Sequence, residues 1–126
     1  PVELADRLEM ARALAQRRHS VILLSGPQDV VTDGEKAWCV AGGSSRMAQV
    51  TGTGCMLSVL CGVFAAVEPD ALSAAVLDSA FWKVCSHRAE LAAAGKGPAT
   101  FHGALLDAAG LLTSEELAAQ AHVKML

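Results

Sequence analysis

The chain has 126 residues and is 52% hydrophobic but only 4% aromatic, with 24 alanines and no tyrosine. Ala and Leu lose little entropy in helices, so this balance favours helix, works against an all-β sandwich and is too apolar for a disordered chain. Ten Lys and Arg against 13 Asp and Glu give a formal charge of −3; with no basic run and few aromatic side chains to stack on bases, no nucleic-acid partner is expected.

From Val2 to Arg18, Leu4, Leu8, Ala11 and Ala15 recur at helical spacing. They predict an amphipathic helix whose charged residues, among them Asp6, Arg7, Glu9, Arg12 and Arg17, fall mainly on its solvated faces. Val21-Ile22-Leu23-Leu24 is a short unbroken apolar run, suited to a strand buried on both faces as in parallel sheets. A turn follows at Ser25 to Asp29. Val30-Val31-Thr32 and Lys36-Ala37-Trp38-Cys39-Val40 then flank Asp33-Gly34, a D-G pair that signals a hairpin. Ala41 to Gln49 reads as a polar loop of small residues.

Thr51-Gly52-Thr53-Gly54 ends that loop and opens an apolar helix from Cys55 to about Val67. The stretch is too short for the ~20 residues of a membrane span and is expected to be a buried core helix. Pro69 breaks the chain, and a second long helix is expected from Asp70 to about Ala94, ended by Gly95-Lys96-Gly97-Pro98. Another helix is expected from Thr100 to Ala109, with Gly110 behind it. Thr113-Ser114-Glu115-Glu116 matches a capping box and starts a last short helix. No signal leader is expected at the start. Covering helices outnumber the strands they would cover, so an α/β layered domain is expected to be short of strands.

Thr51-Gly52-Thr53-Gly54-Cys55 carries the sharpest chemical signal. Glycines let the backbone approach a ligand closely, and a helix N-terminus offers free N–H groups and a positive dipole end. Together they form an anion hole suited to a transferring phosphoryl group; the same residues also suit an ordinary capped helix start. Gly95-Lys96 is followed by Gly97, which is no P-loop, and Leu57 stands where a dinucleotide fingerprint needs a small residue. Cys55 falls in the first helical turn, a position that favours the thiolate form of a cysteine. Ser25, after the first strand, is placed for a hydroxyl contact to a ligand at the strand's carboxyl end. Cys39, Cys61 and Cys85 read as packing residues. No C-x-x-C pair occurs, no histidine lies at ligand spacing and no metal site is expected. Reduced thiols point to a cytoplasmic setting.

Val50-Thr51-Gly52-Thr53-Gly54-Cys55, the earlier Asp29-Val30-Val31-Thr32-Asp33-Gly34, and the later Gly97-Pro98-Ala99-Thr100-Phe101 with Leu105-Leu106-Asp107 occur in that order. This ordered set resembles the hydroxyethylthiazole kinase family of the ribokinase-like superfamily, from Val2 to about Leu112. The resemblance implies a three-layer α/β/α sandwich around a largely parallel sheet. It also implies ATP- and Mg2+-dependent phosphorylation of 4-methyl-5-(2-hydroxyethyl)thiazole in thiamine biosynthesis or salvage, by trimers with active sites at subunit interfaces. Carried over by position, Gly52 matches a substrate-contacting glycine. Gly52, Thr53 and Gly54 match the anion hole, Ser25 matches an ATP-contacting Thr, and Cys55 takes the place of an Asp general base. Ser25 keeps the hydroxyl of the usual Thr; Ala99 replaces a usual Gly, which alters the local turn.

The resemblance makes residues 1–126 a single partial domain, the helix-rich C-terminal half of the kinase fold. The N-terminal half of the family normally supplies the thiazole pocket, most Mg2+-binding acids and several strands. Two alternatives stay open: a related hydroxymethylpyrimidine or pyridoxal-type kinase, and a non-catalytic assembly module.

Overall fold

The computed structural model describes residues 3–126. In chain order the elements are α1 (Leu4–Arg18), β1 (Ile22–Leu24), β2 (Asp29–Thr32), β3 (Ala37–Ala41), a short 3-10 helix (Ser45–Gln49), α2 (Thr53–Val67), α3 (Ala71–Ala92), α4 (Pro98–Leu111), α5 (Ser114–Gln120) and β4 (His122–Met125). The expected helix start at Val2 lies outside the described residues.

The four strands form one sheet in the order β1-β2-β3-β4, and every neighbouring pair is antiparallel. The hairpin around Asp33-Gly34 is as expected. Asp33 Oδ1 accepts from the Glu35 and Lys36 N–H groups at 2.9 and 2.8 Å, and these bonds hold its carboxyl below the usual range. The strands and the start of α4 differ from expectation. β1 is a half-buried edge strand paired antiparallel to β2. The turn between them is far too short for the crossover that a parallel pair requires. β4 was not expected at all; it pairs with β3, Val123 opposite Val40. And α4 starts at Pro98 and runs through Gly110 to Leu111; proline suits a first helical position because its missing N–H would have no partner there.

Side chains alternate across the sheet. Val31 and Val40 pack on Leu72, Ala75 and Ala80 of α3. Val30 and Thr32 point to the opposite face, where α1 lies with Ala11 and Ala15 buried. The result is an α/β arrangement with helices on both sides of the sheet.

Helix α3 is the hub. Asp70 caps it, accepting from the Ser73 N–H at 3.0 Å. One side of α3 meets the sheet; another forms a second core with Leu57 of α2 and with Phe101, Leu105 and Ala108 of α4. Phe64 and Phe81 meet edge to face at 5.5 Å. Arg46 lies 5.0 Å over Phe101 and donates to the carbonyls of Ala93 and Lys96 after α3. Half of the expected capping box forms: Thr113 Oγ1 accepts from the Glu116 N–H at 3.2 Å, while the Glu116 carboxylate accepts from the Thr113 hydroxyl at 2.9 Å and not from its N–H.

Helix α2 forms as expected but is not the buried core helix its composition suggests. Leu57 is its buried residue, while Val59, Val63 and Val67 are 69%, 56% and 78% exposed. This chain covers α2 on the α3 side alone.

Asp78 of α3 is fully buried and neither carboxylate oxygen has a hydrogen-bond partner. Burial pushes its carboxyl up to about 7; the nearby Cys61 thiol offsets part of the rise, and the negative charge of Asp29 adds to it. The unfolded chain releases this proton near the ordinary value of 3.8. The folded chain therefore binds more protons between these values, so the Asp78 contribution to stability declines as pH rises from 3.8 to about 7. Asp78→Asn is expected to flatten that dependence and to stabilise the chain at pH 8 by roughly 1–3 kcal/mol, read from urea unfolding at pH 6 and pH 8.

Glycine is required at Gly34, where φ is +101° and an added Cβ would sit 2.9 Å from Gln16 Cγ. Gly34→Ala is expected to destabilise by roughly 1–3 kcal/mol. Gly110, inside α4 with open space around it, is expected to gain about 0.5–1 kcal/mol on change to Ala. The same unfolding measurement compares the two.

Candidate functional site

The site begins with the turn from Ser25 to Gln28. Asp29, the first residue of β2, is buried, and a buried carboxylate is tolerated only when paired and hydrogen-bonded. Its Oδ1 accepts from the Gly26 N–H at 2.9 Å and lies 3.3 Å from Lys83 Nζ. Its Oδ2 accepts from the Ser79 hydroxyl at 2.7 Å. Ser79 and Lys83 are one turn apart on α3 and so share a face. Lys83 also donates to the carbonyls of Gly26 and Pro27 at 2.6 and 3.1 Å. From α1, Arg7 donates to the carbonyls of Leu24, Ser25 and Gln28.

The loop after β3 forms a second wall. Gly42 and Gly43 have φ of +94° and +83°, and an added Cβ on Gly43 would meet Ser86 Oγ at 2.9 Å. The Ser86 hydroxyl accepts from the Ser44 N–H at 3.2 Å and donates to the Lys83 carbonyl at 2.9 Å. The loop thus lies directly on α3.

The third wall is the start of α2. Gly52 takes a left-handed conformation, φ +95°, as its N-cap and offers no side-chain cap. The first α-helical hydrogen bond runs from the Met56 N–H to the Gly52 carbonyl, so the amides of Thr53, Gly54 and Cys55 have no partner within the helix. The Thr53 hydroxyl donates to the Met47 carbonyl at 3.1 Å, and its own carbonyl accepts from Trp82 Nε1 at 3.0 Å. These bonds fix the angle at which the helix end meets the cleft.

Between the walls lies a cleft of about 660 Å3, within the ~300–1,000 Å3 range of small-molecule sites. Ser25, Thr53 and Gly54 line it together with Gly43, Ser44, Trp82, Lys83 and Ser86. Of the residues singled out from sequence, Ser25, Thr53 and Gly54 are therefore brought together. Gly52 and Cys55 adjoin the cleft through the chain but do not line it; Cys55 is exposed on the first turn of α2. The sequence reading missed Asp29 as a buried anchor and also Lys83, Ser86 and Arg7. Trp82 is buried and also borders the cleft. Only the Gly42-Gly43-Ser44-Ser45 run hinted that this loop approaches another backbone. Cys85 is buried, and burial pushes its thiol up to about 12, in keeping with a packing role. Among the described residues no group of three or more His, Cys, Asp and Glu side chains stands where it could hold a metal ion, and no helix is long and apolar enough to cross a membrane.

The model of the Hydroxyethylthiazole kinase family matches residues 2–115. The chain is 38% identical over 120 residues to a hydroxyethylthiazole kinase of Listeria monocytogenes serotype 4a (strain HCC23), covering 95% of this chain and 45% of that protein. It is 42% identical over 126 residues to one of Rhizobium etli (strain ATCC 51251 / DSM 11541 / JCM 21823 / NBRC 15573 / CFN 42), covering 99% of this chain and 47% of that protein. Its fold superimposes on the structure of hydroxyethylthiazole kinase protein from Pyrococcus horikoshii OT3 with a TM-score of 0.90 at 25% identity, covering 97% of this chain and 47% of that one. The chain thus spans less than half the length of the relatives it matches. With the family match running from before α1 into α5, the chain belongs to the hydroxyethylthiazole kinase family.

Proposed function

We propose that this chain is the nucleotide- and phosphate-binding half, the C-terminal half, of a ribokinase-like kinase domain. Its reaction is the ATP-dependent phosphorylation of the hydroxyl of 4-methyl-5-(2-hydroxyethyl)thiazole in thiamine biosynthesis or salvage. The observation that carries this reading is the uncapped N-terminus of α2 at Thr53 and Gly54, sharing one cleft with Ser25.

Phosphoryl transfer asks a protein for positioning and for stabilisation of charge on the transferring group. The free amides at the start of α2 and its positive dipole end supply that stabilisation. Gly52 and Gly54 leave open space at the positions a Cβ would take, so substrate and phosphate can approach the backbone. In this reading Ser25 contacts ATP, and Gly52, Thr53 and Gly54 form the anion hole. The thiazole hydroxyl oxygen attacks the γ-phosphorus, the bond to the β-phosphate oxygen breaks and ADP leaves. Cys55 orients the hydroxyl and takes up its proton as a weak base. Mg2+ would accompany the ATP, its ligands supplied by the part of the family fold outside this chain. The free cysteines suit a cytoplasmic setting.

The test is twofold. ATP is expected to quench the fluorescence of Trp82 in the cleft wall. In ATP, Mg2+ and the thiazole alcohol, with the remaining half of the family fold supplied from a relative, phosphorylated thiazole is expected by mass. Cys55→Ala is expected to slow its formation by about 10–100-fold with little change in ATP affinity. Unchanged turnover overturns the role of Cys55, and absence of ATP binding overturns the nucleotide reading.

The exposed stripe of Val59, Val63 and Val67 on α2 favours one addition: the chain works in an assembly, a trimer in the complete enzyme, because contiguous apolar surface of this kind marks an interaction face. Sedimentation velocity is expected to show association of the isolated chain, reduced by Val59→Lys with Val63→Glu; a monomer at all concentrations would count against it.

A further inference from the structure

Five consecutive backbone carbonyls around Ser25 are held by two cations. Arg7 Nη2 donates to the carbonyls of Leu24 and Ser25, each at 3.2 Å, and its Nη1 donates to that of Gln28 at 2.7 Å. Lys83 Nζ, from the other side, takes the carbonyls of Gly26 and Pro27. The Gly26 N–H is taken by Asp29. The turn is therefore fixed through its acceptors and through a donor, by side chains from α1, β2 and α3.

Arg7 is not among the cleft-lining residues, whereas Ser25 and Lys83 are. Its closeness to the turn is built into the sequence, since a Cβ on Gly26 would sit 2.6 Å from Arg7 Nη2. The guanidinium fork holds two Nη groups a fixed distance apart, and so reaches the Leu24 and Ser25 carbonyls with one and the Gln28 carbonyl with the other. Among the described residues Lys83 is paired with Asp29, while no carboxylate lies within ion-pair distance of Arg7.

We propose that Arg7 and Lys83 are positioning residues that clamp the Leu24–Gln28 carbonyls and so preset the Ser25 hydroxyl for ATP. This rests on the reading of Ser25 as a nucleotide contact. The clamp turns the negative ends of the peptide dipoles toward its cations instead of toward the polyphosphate.

The experiment uses the 126-residue chain and calorimetric titration with ATP and Mg2+. Lys83→Met is avoided because it leaves the buried Asp29 carboxylate without its cation. Arg7→Met is expected to weaken ATP binding about tenfold, and Ser25→Ala to weaken it as well. The double variant is expected to bind no more weakly than Ser25→Ala alone, because Arg7 acts through Ser25. Arg7→Lys is expected to recover only part of the loss. If Arg7→Met has no effect, if its effect multiplies with that of Ser25→Ala, or if Arg7→Lys recovers binding fully, the clamp is overturned while the nucleotide reading stands. If the wild-type chain binds no ATP, the nucleotide reading fails, and amide hydrogen exchange decides the clamp in the ligand-free chain. Faster exchange at Gly26 and Asp29 in Arg7→Met supports it; unchanged exchange overturns it.

Discussion

The buried carboxylate of Asp29 is the constraint on which the site depends. A charge taken out of water must find cations and donors nearby. Asp29 finds them in three places: the turn at Gly26, Ser79, and Lys83. Because Ser79 and Lys83 belong to α3, pairing Asp29 sets how the sheet meets its main covering helix. Because Lys83 also holds the Gly26 and Pro27 carbonyls, the same pairing sets the shape of the turn that ends at β2. Trp82, next to Lys83 on α3, then bonds to the Thr53 carbonyl and links this corner to the start of α2. The cleft is what remains between three elements whose positions are fixed around one acid.

A second acid close by takes the opposite solution. Asp78 is as deeply buried as Asp29 but has no hydrogen-bond partner. Its carboxyl is pushed up to about 7, chiefly by burial and further by the charge of Asp29. Asp29 is paired with Lys83, and Asp78 holds a proton into the neutral range. Environment decides which is which, since two nearby carboxylates in an apolar setting resist ionising together. Cys61 feels the same setting: burial and then the neighbouring Asp78 charge raise its thiol.

What could be read from sequence was what is encoded within a few residues. Asp33-Gly34 marked the hairpin because the Asp side chain binds amides two and three residues on. Thr113 marked a helix start because a cap bonds within its own first turn. Gly52 to Gly54 were recognisable because a glycine-rich helix opening is a local feature. The anchors of the site were not legible: Lys83 and Asp29 belong to different layers, and Ser79 bonds Asp29 across 50 positions. Arg7, 21 positions from Gln28, looked like one more charge on a solvated helix. β4 was missed because His122 to Met125 is four residues of mixed character, exposed throughout, whose strand conformation comes from pairing with β3. Burial of α2 was over-read because composition reports the surroundings a helix suits, not the ones present.

Helix α2 shows how those two quantities part. A helix apolar on nearly all sides suits packing on more than one face. Here Leu57 is buried, and Met56, Leu60 and Phe64 pack against the core that includes α3, while Val59, Val63 and Val67 face outward. The N-terminus of α2 is nonetheless held within this chain, by the Thr53 hydroxyl on Met47 and the Thr53 carbonyl on Trp82. The end of α2 that meets the cleft is therefore oriented by contacts separate from those its outer face could make. Covering that face would stabilise the helix along its length without having to orient its N-terminus, which the Thr53 bonds already place on the cleft that Ser25 also lines.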